Sequence, residues 1–193
     1  MTGSPLLNAF HQSNAALLTY TVGGDPNKET SLEIFREIAQ SGADIIECGL
    51  GHGANIGDGG AIQDGTYRAL SNGIKTDDVF DIIKTLRDEF DTNVIIMTYQ
   101  NKIMSYGEDS FLSKCVESKV AGIICVDWPW PLNLNFAAKC KNNNIDFIQL
   151  LCPTTNEERL KLILNDAHDV VYYISMLSTT GQKLKVSPSE IKD

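Results

Sequence analysis

The sequence lacks the features that mark several classes of protein. Its formal net charge is −9, and the 16 basic side chains are scattered rather than clustered. A nucleic-acid partner would require a basic patch to neutralise phosphates, so we expect none. No apolar segment approaches the roughly 18–20 residues that a membrane helix needs, so no membrane association is expected. The N-terminus does not combine a basic segment with an apolar one, so we expect no signal peptide.

Cysteine and histidine are too few and too dispersed for several kinds of site. The five cysteines include no CxxC pair, and three lie in apolar segments, where a free thiol packs as a small hydrophobe. This usage favours a reducing cytoplasm. The serine-hydrolase motif G-x-S-x-G is absent. The histidines lack metal-ligand spacing, so no metal site is expected, and the one in a glycine-rich loop is expected to be solvated: they are His11, His52 and His168.

The sequence does contain a repeat of apolar segment, loop and amphipathic helix. Continuous apolar segments are typical of strands buried on both faces of a parallel sheet. Six such segments occur, at residues 15–22, 43–50, 93–99, 121–128, 145–152 and 170–177. Helical patterns cover residues 5–12, 29–42, 61–70, 76–86, 107–120, 132–144 and 156–169, and another helix is expected to begin in 186–193. Two helices therefore fall between the second and third strands.

This order predicts one α/β domain over residues 1–193, built from βαβ units with right-handed crossovers. Such units form either an open doubly wound sheet or a closed (βα)8 barrel of the TIM type. Ligands bind at the carboxyl ends of the strands in both. Polar or turn residues follow every predicted strand, at residues 23–26, 49–60, 99–101, 127–131, 152–155 and 178–181. Because these loops would share one edge, we predict an enzyme.

Glu47 is the most informative residue because it lies inside an apolar strand. Removing an ionised carboxylate from water costs several kcal/mol or more unless it is paired or neutralised. One interpretation is an ion pair with a lysine or arginine, or an exposed strand end. The other is a general acid/base whose pKa is raised by burial. Strand alternation puts Ile45, Glu47 and Gly49 on one face, where Gly49 is expected to leave space for a ligand.

A second carboxylate, Asp58, lies in the glycine-rich loop that follows this strand. It could be a turn residue or the N-cap of the helix at 61–70. It could equally be the second member of an acid/base pair in which the two carboxylates have unlike environments. Residues 49–54 match the dinucleotide fingerprint G-x-G-x-x-A, but the helix that this motif should open begins only near residue 61. A nicotinamide cofactor is therefore not expected.

Motifs along nearly the whole chain resemble, in the same order, those of the tryptophan synthase alpha subunit family. They are LLTYTVGGDP (17–26), GADIIECG (42–49), DG (58–59) with IQ (62–63), RALSNG (68–73), MTYQN (97–101), VDWP (126–129), PTT (153–155), and VYYIS (171–175) with TG (180–181). The resemblance implies a (βα)8 barrel, of which about six βα units are countable here. It also implies a lyase that cleaves indole-3-glycerol phosphate to indole and glyceraldehyde 3-phosphate.

The resemblance also implies site residues and a partner. Glu47 would be the acid/base that works on C3 and on the glycerol hydroxyl, and Asp58 the carboxylate at the indole N–H. Tyr20, Tyr99 and Tyr172 would line the indole pocket, with Asp127 also contacting substrate. Thr180 would position the loop aspartate, and Gly181 would donate a backbone N–H to the phosphate. The family works without a metal or cofactor of its own and passes indole to a PLP-dependent beta subunit in an α2β2 assembly.

The loop after Glu47 departs from the family pattern Pro-Phe-Ser-Asp-Pro-x-Ala-Asp-Gly-Pro. Glycine or asparagine replaces the three prolines, at positions 51, 55 and 60, and an upstream acid is Ala54. Because glycine in place of proline enlarges the open ensemble, we expect a more flexible loop. This departure motivates an alternative function, a catalytically impaired alpha-like module that binds or regulates a beta subunit. Another phosphate-binding barrel should carry a catalytic lysine or paired aspartates at its strand ends, and neither is seen.

Overall fold

A computed structural model of the protein describes residues 4–11 and 15–175. The strands are β1 (Leu18–Val22), β2 (Ile45–Gly49), β3 (Asn93–Thr98), β4 (Gly122–Cys125), β5 (Asp146–Phe147), β6 (Gln149–Leu151) and β7 (Val171–Tyr173). The helices are α1 (Pro5–His11), α2 (Lys28–Gln40), α3 (Gly60–Ser71), α4 (Thr76–Glu89), α5 (Gln100–Tyr106), α6 (Glu108–Glu117), α7 (Leu134–Asn142) and α8 (Glu157–Asp166). The α/β class is confirmed, with two helices between β2 and β3. The helix expected to begin in 186–193 lies outside the described residues.

All the strand pairs are parallel, and the strands follow one another in chain order. Strands β1 to β5 form one sheet, and β6 pairs with β7 in a second. The fifth predicted strand is divided at Ile148, whose N–H still donates to the Ile123 carbonyl of the β4 strand at 2.9 Å. One half of this segment therefore pairs with β4 and the other half with β7. The six predicted strands occupy six neighbouring positions, and in the last of them the described residues form a strand over Val171–Tyr173.

Alternate residues of the sheet enter two different hydrophobic layers. One face packs Ile46, Cys48 and Ile96 against the helices, whose aromatic side chains include Phe35 and Phe80. The other face forms a smaller cluster of Ile45, Ile95, Ile124 and Ile148, which Leu6 and Ala9 of α1 join. Burial on both faces explains why the strands have continuous apolar sequences rather than alternating ones.

The amino ends of the strands are tied to the N-terminal segment by a polar cluster around the buried residues Ser4 and Asp146. The Ser4 hydroxyl donates to the Asp146 carboxylate, and the Ser4 N–H donates to Asp169 Oδ2 at 2.9 Å. The Phe147 N–H donates to Nδ1 of His168 at 3.1 Å. His168 therefore has a structural contact at the end of the sheet opposite to the strand-end loops.

Helix α5 was missed by the sequence analysis, which predicted only a loop at residues 99–101. This helix has seven residues, and Ile103 is its one buried side chain, so it offers no apolar periodicity to detect. Its first N–H, that of Gln100, donates to Asp127 Oδ1 at 2.6 Å. A carboxylate from the next strand-end loop thus caps the helix, and sequence spacing gives no sign of that contact. Within residues 4–11 and 15–175, no helix is long and apolar enough to cross a membrane.

Candidate active site

Glu47 lies in the middle of β2, and its residue is only 6 % exposed. In register it lies between Tyr20 of β1 and Ile95 of β3. No lysine or arginine in the described part of the chain forms an ion pair with it. The interpretation as an exposed carboxylate is therefore wrong, and the ion-pair interpretation finds no partner among residues 4–11 and 15–175. Burial, and secondarily the charge of Asp58, raises the pKa of Glu47 to about 7.

The space expected beside Gly49 is occupied, and this corrects the sequence analysis. A Cβ atom added at Gly49 would overlap the phenol of Tyr20, whose hydroxyl oxygen is its nearest neighbour. Glycine therefore makes room for a protein side chain there, not for a ligand. Burial is the main cause that raises the pKa of Tyr20, and the charges of Asp58, Cys48 and Glu47 add to it. The phenol remains a neutral hydrogen-bond donor and acceptor beside the carboxylate.

Asp58 is also buried, at 4 % exposure, although it belongs to a loop. It is not a helix cap: the N-cap of α3 is Gly59, and no side chain caps that helix. The Asp58 carbonyl accepts a hydrogen bond from Gln63 Nε2 at 2.9 Å, which ties the loop to the first turn of α3. Burial raises the pKa of the Asp58 carboxyl, while interactions with Asn55 and Tyr99 act in the opposite direction.

Tyr99 connects this loop to the end of β3. It is 3 % exposed, and its hydroxyl oxygen accepts a hydrogen bond from the Gly57 N–H at 3.2 Å. Burial and the charge of Asp58 raise the pKa of Tyr99 to about 12. The His52 ring lies 5.4 Å from the Tyr99 ring, centroid to centroid, at an interplanar angle of 35°. His52 is thus half-buried against an aromatic ring, and the expectation of a solvated loop histidine is wrong.

The remaining residues implied by the family resemblance have different surroundings. Tyr172 of β7 is 39 % exposed, and burial, with a smaller contribution from the charge of Glu47, raises its pKa. Asp127 is exposed, and its carboxylate contacts the Gln100 N–H as described above. Its role in substrate binding stays a prediction. Thr180 and Gly181 lie outside the described residues.

The loop after β4 is held by a buried pair of amides. Asn133 Nδ2 donates to Gln149 Oε1 at 3.0 Å, and Gln149 Nε2 donates back to Asn133 Oδ1 at 3.1 Å. Asn133 Nδ2 also donates to the Trp128 carbonyl at 2.8 Å. The Trp128 ring stacks on Phe136 at 5.1 Å. Trp128 is therefore packed into the core on the helical face of the sheet.

Two carboxyl groups with unlike partners thus share the carboxyl end of the sheet. Burial raises the pKa of both groups, to about 7 for Glu47, while the interactions of Asp58 with Asn55 and Tyr99 oppose the rise at Asp58. Such a pair suits acid/base chemistry, because one group can carry the proton while the other carries the charge. Within residues 4–11 and 15–175, no group of three histidine, cysteine, aspartate or glutamate side chains could hold a metal ion.

Sequence reasoning identified the two carboxylates but missed the residues that support them. Asn55, His52 and the close contact between Tyr20 and Gly49 were not predicted. A lone aromatic or amide residue in a glycine-rich loop gives no periodic signal. The one available sign was that His52 stands where the family pattern has phenylalanine.

Comparison with known proteins gives a consistent result. The family model of the tryptophan synthase alpha chain matches residues 6–192. The tryptophan synthase alpha chain of Pelagibacter ubique is 53% identical over 181 residues, which are 93% of this chain and 68% of the relative. That of Petrotoga mobilis is 36% identical over 175 residues, which are 91% of this chain and 68% of the relative.

Solved structures agree with the sequence relatives. Tryptophan synthase of Mycobacterium tuberculosis superposes with a TM-score of 0.88 at 26% identity, over 94% of this chain and 72% of that chain. The tryptophan synthase α2β2 complex of Pyrococcus furiosus superposes with a TM-score of 0.81 at 32% identity, over 98% of this chain and 72% of that chain. The sheet and helices described above are thus part of a TIM-type barrel, and the chain belongs to the tryptophan synthase alpha chain family.

Proposed function

We propose that this chain catalyses the alpha reaction of tryptophan biosynthesis, the cleavage of indole-3-glycerol phosphate to indole and glyceraldehyde 3-phosphate. The observation that carries the proposal is Glu47, a buried carboxyl with a pKa of about 7 in the middle of β2, with Asp58 beside it. A group that titrates near neutral pH can both give and take a proton during one turnover. Family membership supports the same reaction.

The chemistry divides between the two carboxyl groups. Glu47 gives its proton to C3 of the indole ring, and the cation that forms on the ring nitrogen is stabilised by the Asp58 carboxylate. The bond between C3 and the glycerol carbon then breaks, and its electron pair returns to the ring. The Glu47 carboxylate accepts the proton of the hydroxyl group on that carbon, which becomes the aldehyde. Glu47 ends protonated again, so the cycle closes without an oxidant or a reductant.

The tyrosine side chains would form the walls that hold the indole ring. The Tyr20 and Tyr99 phenols remain protonated at neutral pH, because burial and nearby negative charges raise their pKa values. Tyr172 would face Glu47 from β7. Thr180, Gly181 and Asp127 are proposed as further contacts of the loop and substrate on the strength of the family motif. Protonated phenols do not add a third negative charge beside the two carboxylates.

The alternative of a catalytically impaired module is not favoured, because both carboxylates are present and buried at the strand ends. We propose that the partner is a tryptophan synthase beta chain in an α2β2 assembly, since a relative from Pyrococcus furiosus was solved as such a complex. A cytoplasmic location is also proposed. All five cysteines are free, which fits a reducing compartment. Residues 1–193 are proposed to belong to one domain.

The test is to incubate the chain with indole-3-glycerol phosphate and to quantify indole and glyceraldehyde 3-phosphate separately. Equal amounts of the two products are expected. Glu47→Gln should lower the rate at least about 100-fold, since it removes the proton that starts the reaction. Glu37→Gln, the same change at an exposed position on α2, is the matched control and should leave the rate unchanged. Indole release that survives Glu47→Gln would refute the assignment.

A further inference from the structure

We propose that Tyr99 is a positioning residue for Asp58, and that His52 holds the Tyr99 ring in place, so that the two rings fix the glycine-rich loop at 51–60 over the site. The catalytic part of this inference, that Tyr99 positions Asp58 for the reaction, rests on the proposed function. Its structural content can be tested without any turnover.

Tyr99 is a rigid point of attachment. It directly follows β3, it is the N-cap of α5, and it is 3 % exposed. Its carbonyl accepts a hydrogen bond from the Lys102 N–H at 3.0 Å. The next residue, Gln100, is held by the Asp127 carboxylate at 2.6 Å. The Tyr99 backbone is therefore held on both sides by contacts that do not involve the glycine-rich loop.

The Tyr99 hydroxyl contacts two consecutive residues of the loop. It accepts a hydrogen bond from the Gly57 N–H at 3.2 Å and interacts with the Asp58 carboxylate. A phenol oxygen that accepts from an amide still has its own proton to donate. The Asp58 carboxylate, which only accepts when ionised, is the partner for that proton. One hydroxyl thus orients both the backbone and the side chain of the proposed catalytic residue.

His52 reaches the same tyrosine from the beginning of the loop. Its ring lies 5.4 Å from the Tyr99 ring at an angle of 35°. The chain between His52 and Gly57 contains one internal turn at Ile56, whose N–H donates to the Ala54 carbonyl at 3.0 Å. Both ends of this segment are therefore attached to one side chain. Phenylalanine, the residue of the family pattern at this position, would preserve such a ring contact.

Gly57 lies directly against Tyr99 and Val126. A Cβ atom at this position would lie 3.4 Å from the Tyr99 hydroxyl oxygen and 3.3 Å from Val126 Cγ1, and the second of these contacts is tight. The family pattern has alanine at this position. The prolines that would stiffen the loop are absent, and a glycine-rich segment has more conformations to lose on ordering. The contacts with Tyr99 supply part of that missing restraint.

The test compares Tyr99→Phe with Tyr106→Phe. Both remove a phenol that contacts an aspartate, and Tyr106 contacts Asp77 on the helical side of the sheet, away from the site. Carbon-13 NMR of the chain labelled at aspartate carboxyls measures the pKa of Asp58, whose resonance is identified because it is missing in Asp58→Asn. The pKa of Asp58 should be higher in Tyr99→Phe than in the unmodified chain, and unchanged in Tyr106→Phe. Amide hydrogen exchange at residues 51–60 should accelerate at least about 10-fold in Tyr99→Phe.

Kinetics then connect the contact to catalysis. Tyr99→Phe should lower kcat for indole release by about 10- to 100-fold, because a hydrogen bond to a charged group is lost. The KM should change little if Tyr99 acts on Asp58 rather than on the substrate. His52→Ala should accelerate amide exchange in the loop, and His52→Phe should restore the slow exchange. Unchanged Asp58 titration and unchanged loop exchange in Tyr99→Phe would overturn the inference, whether or not the chain releases indole.

Discussion

Tyr20 and Glu47 are partners in the register of β1 and β2, and the Tyr20 phenol fills the position where Gly49 has no side chain. The tyrosine therefore closes one side of the site next to the buried carboxyl group. The charge of Glu47 makes ionisation of the phenol harder, because it adds to the effect of burial in raising the pKa of Tyr20. The phenol therefore stays protonated while Glu47 titrates near neutral pH.

The buried charge of Glu47 predicts a specific dependence of stability on pH. The folded pKa is about 7 and the ordinary value is 4.5, so ionisation opposes folding. The penalty is absent below the ordinary value, grows as the pH rises toward the folded value, and is complete above it. Glu47→Gln should therefore be more stable than the unmodified chain by about 3 kcal/mol at alkaline pH, and by much less in acid.

Urea unfolding at pH 5 and pH 8 measures this difference. The stability gain from Glu47→Gln should be several times larger at the higher pH. A gain that is equal at both values would mean that the carboxyl group is not shifted by burial.

Removing the charge of Asp58 should lower the pKa of Glu47. The negative charge of Asp58 is the second cause of the raised value, after burial. In Asp58→Asn, Glu47 should therefore titrate at lower pH than in the unmodified chain, yet still above its ordinary 4.5 because burial remains. Infrared spectroscopy of the protonated carboxyl band, assigned with Glu47→Gln, follows this titration. A band that titrates at the same pH in both proteins would show that the two carboxyl groups do not interact.

Gly49→Ala should be destabilising because the added Cβ overlaps the Tyr20 phenol. A buried side chain that must move to relieve such an overlap costs about 1–3 kcal/mol. Gly53→Ala is the matched control, since no atom lies within 4 Å of a Cβ added at Gly53. Thermal unfolding of both variants should give a lower Tm for Gly49→Ala only. Equal Tm values would mean that Tyr20 does not occupy this space.

Asn133→Ala should destabilise the packing of the loop that follows β4. It would leave the buried amide of Gln149 without its partner and would free the Trp128 carbonyl. An unsatisfied buried polar group costs about 1–3 kcal/mol, and two groups are affected here. Asn143→Ala, which removes one exposed hydrogen bond to the Lys139 carbonyl, is the comparison and should cost less. Equal losses of unfolding free energy in the two variants would contradict the importance of the amide pair.

The fold was largely predictable because burial on both faces leaves a strong trace in the sequence. Strand β2, residues 45–49, is apolar apart from Glu47, so that charge is conspicuous in the sequence. The interruption at Ile148 was not predictable, since its apolar side chain suits either half of the divided strand. The first N–H of helix α5 is paired with the Asp127 carboxylate, which is 27 residues away from Gln100 in sequence. Contacts of that kind are set by tertiary geometry and not by local pattern.

In the candidate site, too, some features could be predicted from the sequence and others could not. Glu47 could be singled out from the sequence because a glutamate inside an apolar strand is unusual. Aspartate is common in turns, so Asp58 was singled out only by its match to the family motif. The side chains that surround the two carboxylates could not be predicted. Gly49 was expected to leave room for a ligand, but strand register puts the Tyr20 phenol there. His52 was expected to face solvent, but the path of the loop brings its ring to Tyr99.

Titration of the Glu47 carboxyl group tests the central claim most directly. Carbon-13 NMR of the chain labelled at glutamate carboxyls would follow each side chain between pH 4 and pH 9, with Glu47 assigned from the resonance lost in Glu47→Gln. The account predicts that Glu47 titrates with a pKa of about 7. A Glu47 resonance that titrates near the ordinary value of 4.5 would contradict it, because that group could not hold a proton for the indole ring at neutral pH.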